Sequence, residues 1–454
     1  MGFPPQIRYI VGNEACERFS FYGMKSILVI FMTEQLLMTG PEARTAYHLF
    51  VSACYLLPLL GGWLSDRYLG KYRTIFYLSI VYCLGHLTLA VWENRTGVYW
   101  GLALIALGAG GIKPCVSAHV GDQFNDKNQH LLQRVFNLFY FFINFGSFFS
   151  TLLVPVLLVR YGASVAFGVP GVLMAIATVV FRMGKPLYVH VPPARDTGAA
   201  GFLPVVGYAI RAKLFGGRRR TNGRPWLDAA LERYTAAEVE AARAALDVFK
   251  VLIAVSIFWA LYDQNGSSWV LQAKQMDLTL FGVKLEPAQI QAANPILVML
   301  LIPFFRYVVY PAVEAMGIRL TSLRKMAAGM VLAAFSFVVV AMAQASLDAG
   351  QTVSVAWQLL AYLILTSSEV MVSITGLEFA YTQAPRSMKS TIMSFWLLTF
   401  FAGNLLDAYV AKINVFQGAM FFWFFAALML GISGVFAVAA GRYRVRQFVE
   451  EAPA

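Results

Sequence analysis

Apolar runs long enough to cross a hydrocarbon core recur along the whole chain, separated by short polar or charged breaks. A core of about 30 Å needs about 20 residues of helix. Apolar runs of that order fall at 45–64, 73–93, 97–117, 133–158, 165–183, 290–314, 322–346, 389–411 and 417–441. Three more, 13–38, 247–273 and 352–382, are just as apolar except at isolated charged positions. The pattern predicts an all-α membrane protein of about twelve transmembrane helices in two groups of six. Between the groups, residues 184–246 are polar. This stretch opens with Pro186, Pro192 and Pro193 and carries the basic run Arg218, Arg219 and Arg220. It ends in an Ala- and Glu-rich pattern over 229–246 with Glu232, Arg233, Glu238, Glu240 and Arg243, which predicts an amphipathic helix at the membrane surface. Residues 202–215 are too short and too interrupted to span. The expected organisation is a six-helix half over 1–183, a linker over 184–246, a second half over 247–441 and a tail over 442–454.

Composition agrees. Of 454 residues 59% are hydrophobic and only 13% charged, against about 25% charged in soluble domains. The net charge of +12 does not point to nucleic acid, because of where the cations lie. With the amino terminus taken as cytoplasmic, 27 of the 36 Lys and Arg fall on the cytoplasmic side of the helix alternation, among them Arg67, Lys71, Arg73, Arg324, Lys325 and Arg444. Six fall on the other side (Arg44, Arg95, Arg160, Lys274, Lys284, Lys412), and Arg18, Lys25 and Lys113 lie within helices. This is the positive-inside asymmetry, and it predicts that both termini are cytoplasmic. The first apolar segment is too long, and begins with acids rather than a basic region, to be a cleavable signal peptide. Cys16, Cys54, Cys83 and Cys115 have no paired spacing and read as reduced packing residues.

The charges inside the spans carry the chemistry. Glu14, Glu17, Arg18, Lys25, Lys113, Asp263 and Glu369 all sit in apolar surroundings. At roughly 3 kcal/mol each on insertion scales, their unpaired cost approaches 20 kcal/mol. A chain tolerates that where the groups serve a substrate, an ion or a gate. At about 100° per residue, positions 14, 17, 18, 21, 22 and 25 fall within about 140° of one another. Glu14, Glu17, Arg18, Tyr22 and Lys25 therefore form one polar stripe, although a self-neutralised Glu14–Arg18 pair that only joins helices would look the same. Lys113 follows Gly108, Gly110 and Gly111 and precedes Pro114, which allows close helix approach and a bend. Asp263 is near the middle of its span, and Glu369 is central in another beside Thr366, Ser367 and Ser368. Glu34, Glu378 and Asp407 lie nearer helix ends, where solvation is the simpler account.

A weak internal repeat supports two halves. Gly61-Gly62-Trp63-Leu64-Ser65-Asp66-Arg67-Tyr68-Leu69-Gly70-Lys71-Tyr72-Arg73 joins helices two and three, and a degenerate counterpart from Val313-Glu314-Ala315-Met316-Gly317-Ile318-Arg319 to Arg324-Lys325 joins helices eight and nine. Repeated halves around a midplane site are a common transporter plan. With Glu14-x-x-Glu17-Arg18-Phe19, then Phe21-Tyr22-Gly23, the 61–73 loop, and 136–147 with Tyr140, Asn144 and Gly146, the chain resembles the proton-dependent oligopeptide transporter (POT/PTR) family of the major facilitator superfamily. The resemblance covers nearly the whole chain. Gly108 to Pro114, Trp259 with Asp263, Asn294-Pro295, Glu369 with Ser373, and Trp396 also stand where that family places functional residues. At the position of Asp263 the family often has Glu.

The resemblance implies a proton-coupled symporter importing di- and tripeptides by alternating access, with no cofactor beyond the proton gradient. The basic groups belong to the first half and Glu369 to the second, a match for a zwitterion with separated charges. On this reading Arg18, Lys25 and Lys113 bind the peptide carboxylate, while Glu369, Asn144 and Asn294 bind the amine. Tyr22, Tyr55, Trp259 and Trp396 line side-chain pockets, and Ser373 joins the substrate site; for the aromatics and Asn294 the assignment rests on the resemblance. Glu14, Glu17, Arg18 and Asp263 couple the proton, and a Lys113–Glu369 ion pair acts as gate. The expected partners are peptides, protons and membrane lipids, with no nucleic acid and no metal, for a monomer in the plasma membrane, of bacterial inner-membrane type. The nearest alternative is a proton-coupled nitrate or organic-anion carrier on the same scaffold. An embedded enzyme is disfavoured: five His are present, with no G-x-S-x-G, H-E-x-x-H or metal-spaced cluster. A receptor without transport would not need titratable groups in the midplane.

Overall fold

The computed structural model describes residues 3–125, 128–193, 201–215 and 225–443. Arg218, Arg219, Arg220 and Arg444, and most of the 442–454 tail, lie outside the described residues. The first half contains α1 (Ile7–Glu34), α2 (Gly40–Leu64), α3 (Lys71–Val91), α4 (Arg95–Gly121), α5 (Leu132–Tyr161) and α6 (Ala163–Met183). A short α7 (Phe202–Phe215) follows. Then come α8 (Ala236–Leu252), α9 (Val255–Asp263) and α10 (Ser268–Ala273), a two-stranded hairpin of β1 (Thr279–Leu280) and β2 (Val283–Lys284), α11 (Ala293–Phe304) and α12 (Tyr310–Ala315). The remainder is α13 (Ser322–Asp348), α14 (Ala356–Glu369), α15 (Thr375–Thr382), α16 (Lys389–Ile413) and α17 (Ala419–Arg442).

Among the described residues, ten helical stretches are long and apolar enough to cross a membrane, and α8 with α9–α10 forms a further span bent by 45°. Helix α1, 28 residues long, makes twelve with them and is set apart from the other spans by its charged stripe. It runs from Ile7 rather than from 13, because the charges that interrupt its hydropathy face inward and do not end the helix. The helix expected over 229–246 starts at Ala236 and runs on towards α9. Thr235 and Glu238 satisfy each other's backbone N–H groups in a capping box, and no breaker follows before residue 253. Asp228, in the turn before it, is ion-paired to Arg243.

The repeat noticed in the sequence has a shared geometry. Helix α2 ends in a widened π turn at Ser65–Leu69, followed by Gly70 at φ 75°. In the second half a π turn at Phe305–Val309 leads through α12 to Gly317 at φ 82°. Both glycines adopt a left-handed backbone that a side chain would strain, and each turns the chain into the next span. Within the first half, α2 and α4 cross so closely that a Cβ on Gly61 would lie 2.4 Å from the Cα of Gly111. Small residues let these backbones touch, as interhelical packing in lipid requires.

Two apolar cores result, one drawn almost wholly from residues 7–188 and one from 202–436. The side-chain hydrogen bonds that join the halves gather on one side of the molecule. They run from Lys25, Thr45, His48 and Ser52 to partners between Asp263 and Ala408, and from Gln289 and Gln291 back to Leu152 and Ser26. Lys274 also pairs with Glu34 at 2.8 Å. These positions lie away from the start of α1 and the end of α17, so the halves close on the face opposite the described termini. Among the described residues no hydrogen bond between the halves is found from α4 or from α15.

Candidate membrane-embedded binding site

The stripe on α1 folds as its spacing dictates. Arg18 Nε lies 2.7 Å from Glu14 Oε1, one turn earlier, and 3.2 Å from Glu17 Oε2. Glu17 is 1% exposed, with Tyr82 of α3 and Lys113 of α4 within electrostatic reach. Two carboxylates thus share one guanidinium.

One turn of helix beyond Tyr22, Lys25 reaches across to the second half. Its Nζ lies 3.0 Å from Asp263 Oδ1, and Asn404 Nδ2 of α16 donates to the other carboxylate oxygen at 2.7 Å. Asp263 ends α9 where the chain breaks into a 3-10 turn at Gln264–Gly266, so the carboxylate leaves the helix at its last turn. Breaking a buried pair of this kind by removing one partner costs about 3–5 kcal/mol.

Lys113 is different. Its Nζ sits 4.4 Å from the Phe21 ring centroid and 4.9 Å from that of Tyr55, held by cation–π attraction. Among the described residues no carboxylate lies within 4.0 Å of it. The expected Lys113–Glu369 pair is therefore not formed; the ion pair linking the two halves through the site is Lys25–Asp263. The reason is positional: the halves clasp on the opposite face, and Lys113 lies past the middle of α4 towards the face where they make no such bonds.

Glu369 meets amides and hydroxyls instead of a cation. Asn294 Nδ2 donates to its Oε2 at 2.8 Å and also lies 3.2 Å from Thr366 Oγ1, while Tyr262 OH donates to Asn294 Oδ1 at 3.3 Å. A π turn, Val370–Ile374, follows Glu369 directly and contains Ser373. Such single-turn bulges free backbone and re-aim side chains, and they recur at functional sites. Lys113, Glu369, Tyr22, Tyr55, Asn294 and Ser373 are all half-buried rather than sealed. Tyr22 joins the walls, with Arg18, Lys25 and Glu369 all within its electrostatic reach.

Aromatic rings close the space between. Phe400 stacks on Trp259 at 3.5 Å and on Tyr55 at 4.3 Å, and Trp396 meets Trp259 edge-on at 6.0 Å. Asn144 is buried, and its amide donates to the Tyr140 carbonyl of its own helix at 2.9 Å. Tyr140 in turn lies within electrostatic reach of Glu369. Of the fourteen residues singled out in the sequence, the α1 stripe, Tyr55, Lys113 and Asn144 come from the first half, and Asp263, Trp259, Asn294, Glu369, Ser373 and Trp396 from the second; all are buried or half-buried.

Sequence reasoning missed a second polar network beside Asp263. His48 Nδ1 lies 2.9 Å from Asn404 Oδ1, and its Nε2 lies 2.8 Å from Ser267 Oγ. Asp407 Oδ2 is 3.5 Å from His48 Nδ1, and Gln264 Nε2 donates to Asp407 Oδ1 at 3.1 Å. The expectation that Asp407 is solvated is overturned: it is 3% exposed, because α2 and the turn at Gln264–Gly266 cover that end of α16. Asn404 and Asp407 are three apart on one helical face, and His48 interrupts an apolar run. That was the available signal.

Comparison with known proteins sets this geometry in context. A model of the POT family matches residues 72–424. The chain is 40% identical to solute carrier family 15 member 2 of Homo sapiens over 397 residues, covering 83% of this chain and 54% of that protein. It is 28% identical to peptide transporter 3 of Caenorhabditis elegans, over 97% of this chain and 93% of that protein. The chain spans about half the length of the human relatives it matches. The fold superposes on the crystal structure of the POT family transporter PepTSo with a TM-score of 0.89, at 42% identity over 97% of this chain and 98% of that one. An auto-inhibited POT family peptide transporter gives 0.87 at 39% identity, with 99% of each chain covered. A mutant of peptide transporter POT in complex with alafosfalin gives 0.80 at 27% identity, over 97% and 96%.

Proposed function

Because the chain belongs to the POT family, within the major facilitator superfamily, we propose that it imports di- and tripeptides together with protons by alternating access. The observation that carries this reading is the pair of charges left without counter-ions: Lys113 on the first half and Glu369 on the second. Arg18 is already shared by Glu14 and Glu17, and Lys25 by Asp263. What remains is one cation and one anion in different halves, the complement of a peptide with free termini. Lys113 takes the carboxylate. Glu369 takes the amine, steered by Asn294 and bordered by Asn144 and Ser373. Tyr22, Tyr55, Trp259 and Trp396 provide apolar walls that accept varied side chains, since the charged ends alone fix the orientation. The relatives named as peptide transporters, and the one solved with alafosfalin, support a peptide-like cargo.

Proton coupling follows from the count. The seven charged groups singled out in the spans, four acids and three bases, carry one excess negative charge when all are ionised, and a net buried charge is disfavoured. One proton restores neutrality. On Asp263 it releases Lys25 and with it the clasp between halves; on Glu17 it leaves Arg18 to Glu14. The first event loosens the closed opposite face, so that peptide and proton enter together and the halves rock about the site. With both termini cytoplasmic, as the charge asymmetry indicates, the closed face is the outer one. The unit is a monomer in the plasma membrane of a bacterial-type cell, built as two six-helix halves flanking the 184–246 linker.

The test is uptake of labelled dialanine into proteoliposomes under an inward proton gradient. Accumulation above equilibrium, competed by other di- and tripeptides and not by nitrate, is expected. Competition by nitrate with indifference to dipeptides would instead identify an anion carrier.

A further inference from the structure

Away from the central site, a pocket of about 500 Å³ opens on the face bearing the termini, between the start of α3 and the end of α6. The segment after α6 walls it. Gln123 at the end of α4 accepts from Val189 N at 2.8 Å and donates back to Val189 O at 3.3 Å, and Tyr188 OH donates to Phe181 O. Lys71 at its floor is neutralised by both oxygens of Asp122 at 2.7 Å. Three further cations line it, Arg73, Arg182 and Lys185, and among the described residues none has a carboxylate within 4.0 Å. Two of them rest on rings instead: Arg182 lies 5.7 Å from the Phe76 centroid and Lys185 5.9 Å from that of Tyr72. The pocket is therefore preformed and cationic, with its carboxylate already spent.

A second cavity, of about 580 Å³, adjoins it and shares Phe76 and Arg182. Its other walls are mostly apolar, with Ile80 of α3, Val179 and Met183 of α6 and Pro186 just beyond it; Thr178, whose hydroxyl donates to the Met174 carbonyl, is the polar member. Val179 is 59% and Met183 62% exposed, on the membrane-facing flank of the first half. A cationic pocket continuous with an apolar groove matches one chemistry, an anionic head on a hydrocarbon chain.

We propose that this surface binds an anionic phospholipid, its phosphate among Arg73, Arg182 and Lys185 and one acyl chain along the α3–α6 groove. Basic pockets between transmembrane helices hold anionic headgroups in this way. A free phosphate would satisfy the cations and leave the groove empty, so the two cavities together select the lipid. Because α3 and α6 pack on α1 and α4, a bound lipid braces the first half as a unit.

The full chain, purified in detergent, tests this by native mass spectrometry with dioleoylphosphatidylglycerol, dioleoylphosphatidylcholine and inorganic phosphate. A retained phosphatidylglycerol adduct, preferred over phosphatidylcholine and not displaced by phosphate, is expected. Joint Arg182→Gln and Lys185→Gln substitution lowers that affinity roughly thirtyfold, at roughly 1 kcal/mol per basic residue. Val179→Trp, which fills the groove, lowers it as well. In the unmutated protein, Lys185 is protected from acylation in vesicles containing phosphatidylglycerol and not in pure phosphatidylcholine, while Lys250 reacts equally in both. Adducts that survive both variants, displacement by phosphate, equal retention of both lipids, or equal Lys185 reactivity in the two vesicles would overturn the proposal.

Discussion

Asp263→Asn removes one charge from the pair that clasps the two halves and keeps the shape of the side chain. Lys25 Nζ then loses the carboxylate 3.0 Å away, while the Asn404 amide can still donate to the remaining carbonyl. Both partners are well buried, at 14% and 3% side-chain exposure, so solvent cannot replace the lost charge in this conformation. Orphaning a buried charge costs about 3–5 kcal/mol. In any conformation where the halves part and Lys25 meets water, the cost falls away. At about 1.4 kcal/mol per factor of ten, even the lower bound shifts the balance against the clasped state by about a hundredfold. Nitroxides at Leu37→Cys and Val415→Cys, both exposed and both on the clasped face, report this by double electron–electron resonance once the four native cysteines are replaced. The separation lengthens in Asp263→Asn. In proteoliposomes the same variant loses accumulation driven by a pH gradient and retains peptide exchange. An unchanged distance distribution together with intact accumulation would refute both the clasp and its role in coupling.

Lys113→Ala abolishes uptake of a free dipeptide while leaving the fold intact, because the side chain rests on rings and has no counter-ion to orphan; normal uptake in a transport assay removes it from the site. Gly266→Ala places a methyl 1.9 Å from Tyr47 OH, across the boundary between halves, and so opposes closure of the same face. Overpacking of this order costs about 1–3 kcal/mol, and the Leu37/Val415 spin-label pair should again lengthen. Gly61→Leu forces α2 from α4 at their backbone contact and lowers the melting temperature in detergent. An unchanged melting temperature would show that the crossing is looser than described.

Much of this was legible along the chain because membrane spans announce themselves by length and hydropathy, and because helical arithmetic sorts α1 into a polar stripe. Partnership was less legible. Lys25 and Asp263 are 238 positions apart, and no local spacing tells which acid a given lysine meets. Lys113 and Glu369 suggest a pair because they carry opposite charges in opposite halves, yet the structure gives Lys113 two rings and Glu369 an amide. Asp407 looked solvated from its distance to the helix end, which ignores the neighbouring break at Gln264–Gly266 that folds over it. The π turn after Glu369 has no Gly or Pro to mark it. The start of α8 falls at Ala236 rather than 229 because the Thr235–Glu238 capping box fixes it there.

The central claim is that opposite charges in separate halves grip the two ends of one zwitterion. The most direct measurement is competition for dialanine uptake by dialanine itself, by N-acetyl-dialanine, which lacks the cationic amine, and by dialanine amide, which lacks the carboxylate. The account predicts that each blocked compound competes at least about tenfold more weakly, the loss of about one charge-assisted contact. It also predicts that Glu369→Gln erases the penalty for acetylation, and that a residual-binding assay on Lys113→Ala erases the penalty for amidation. Blocked and free peptides competing equally in the unmutated protein would contradict it.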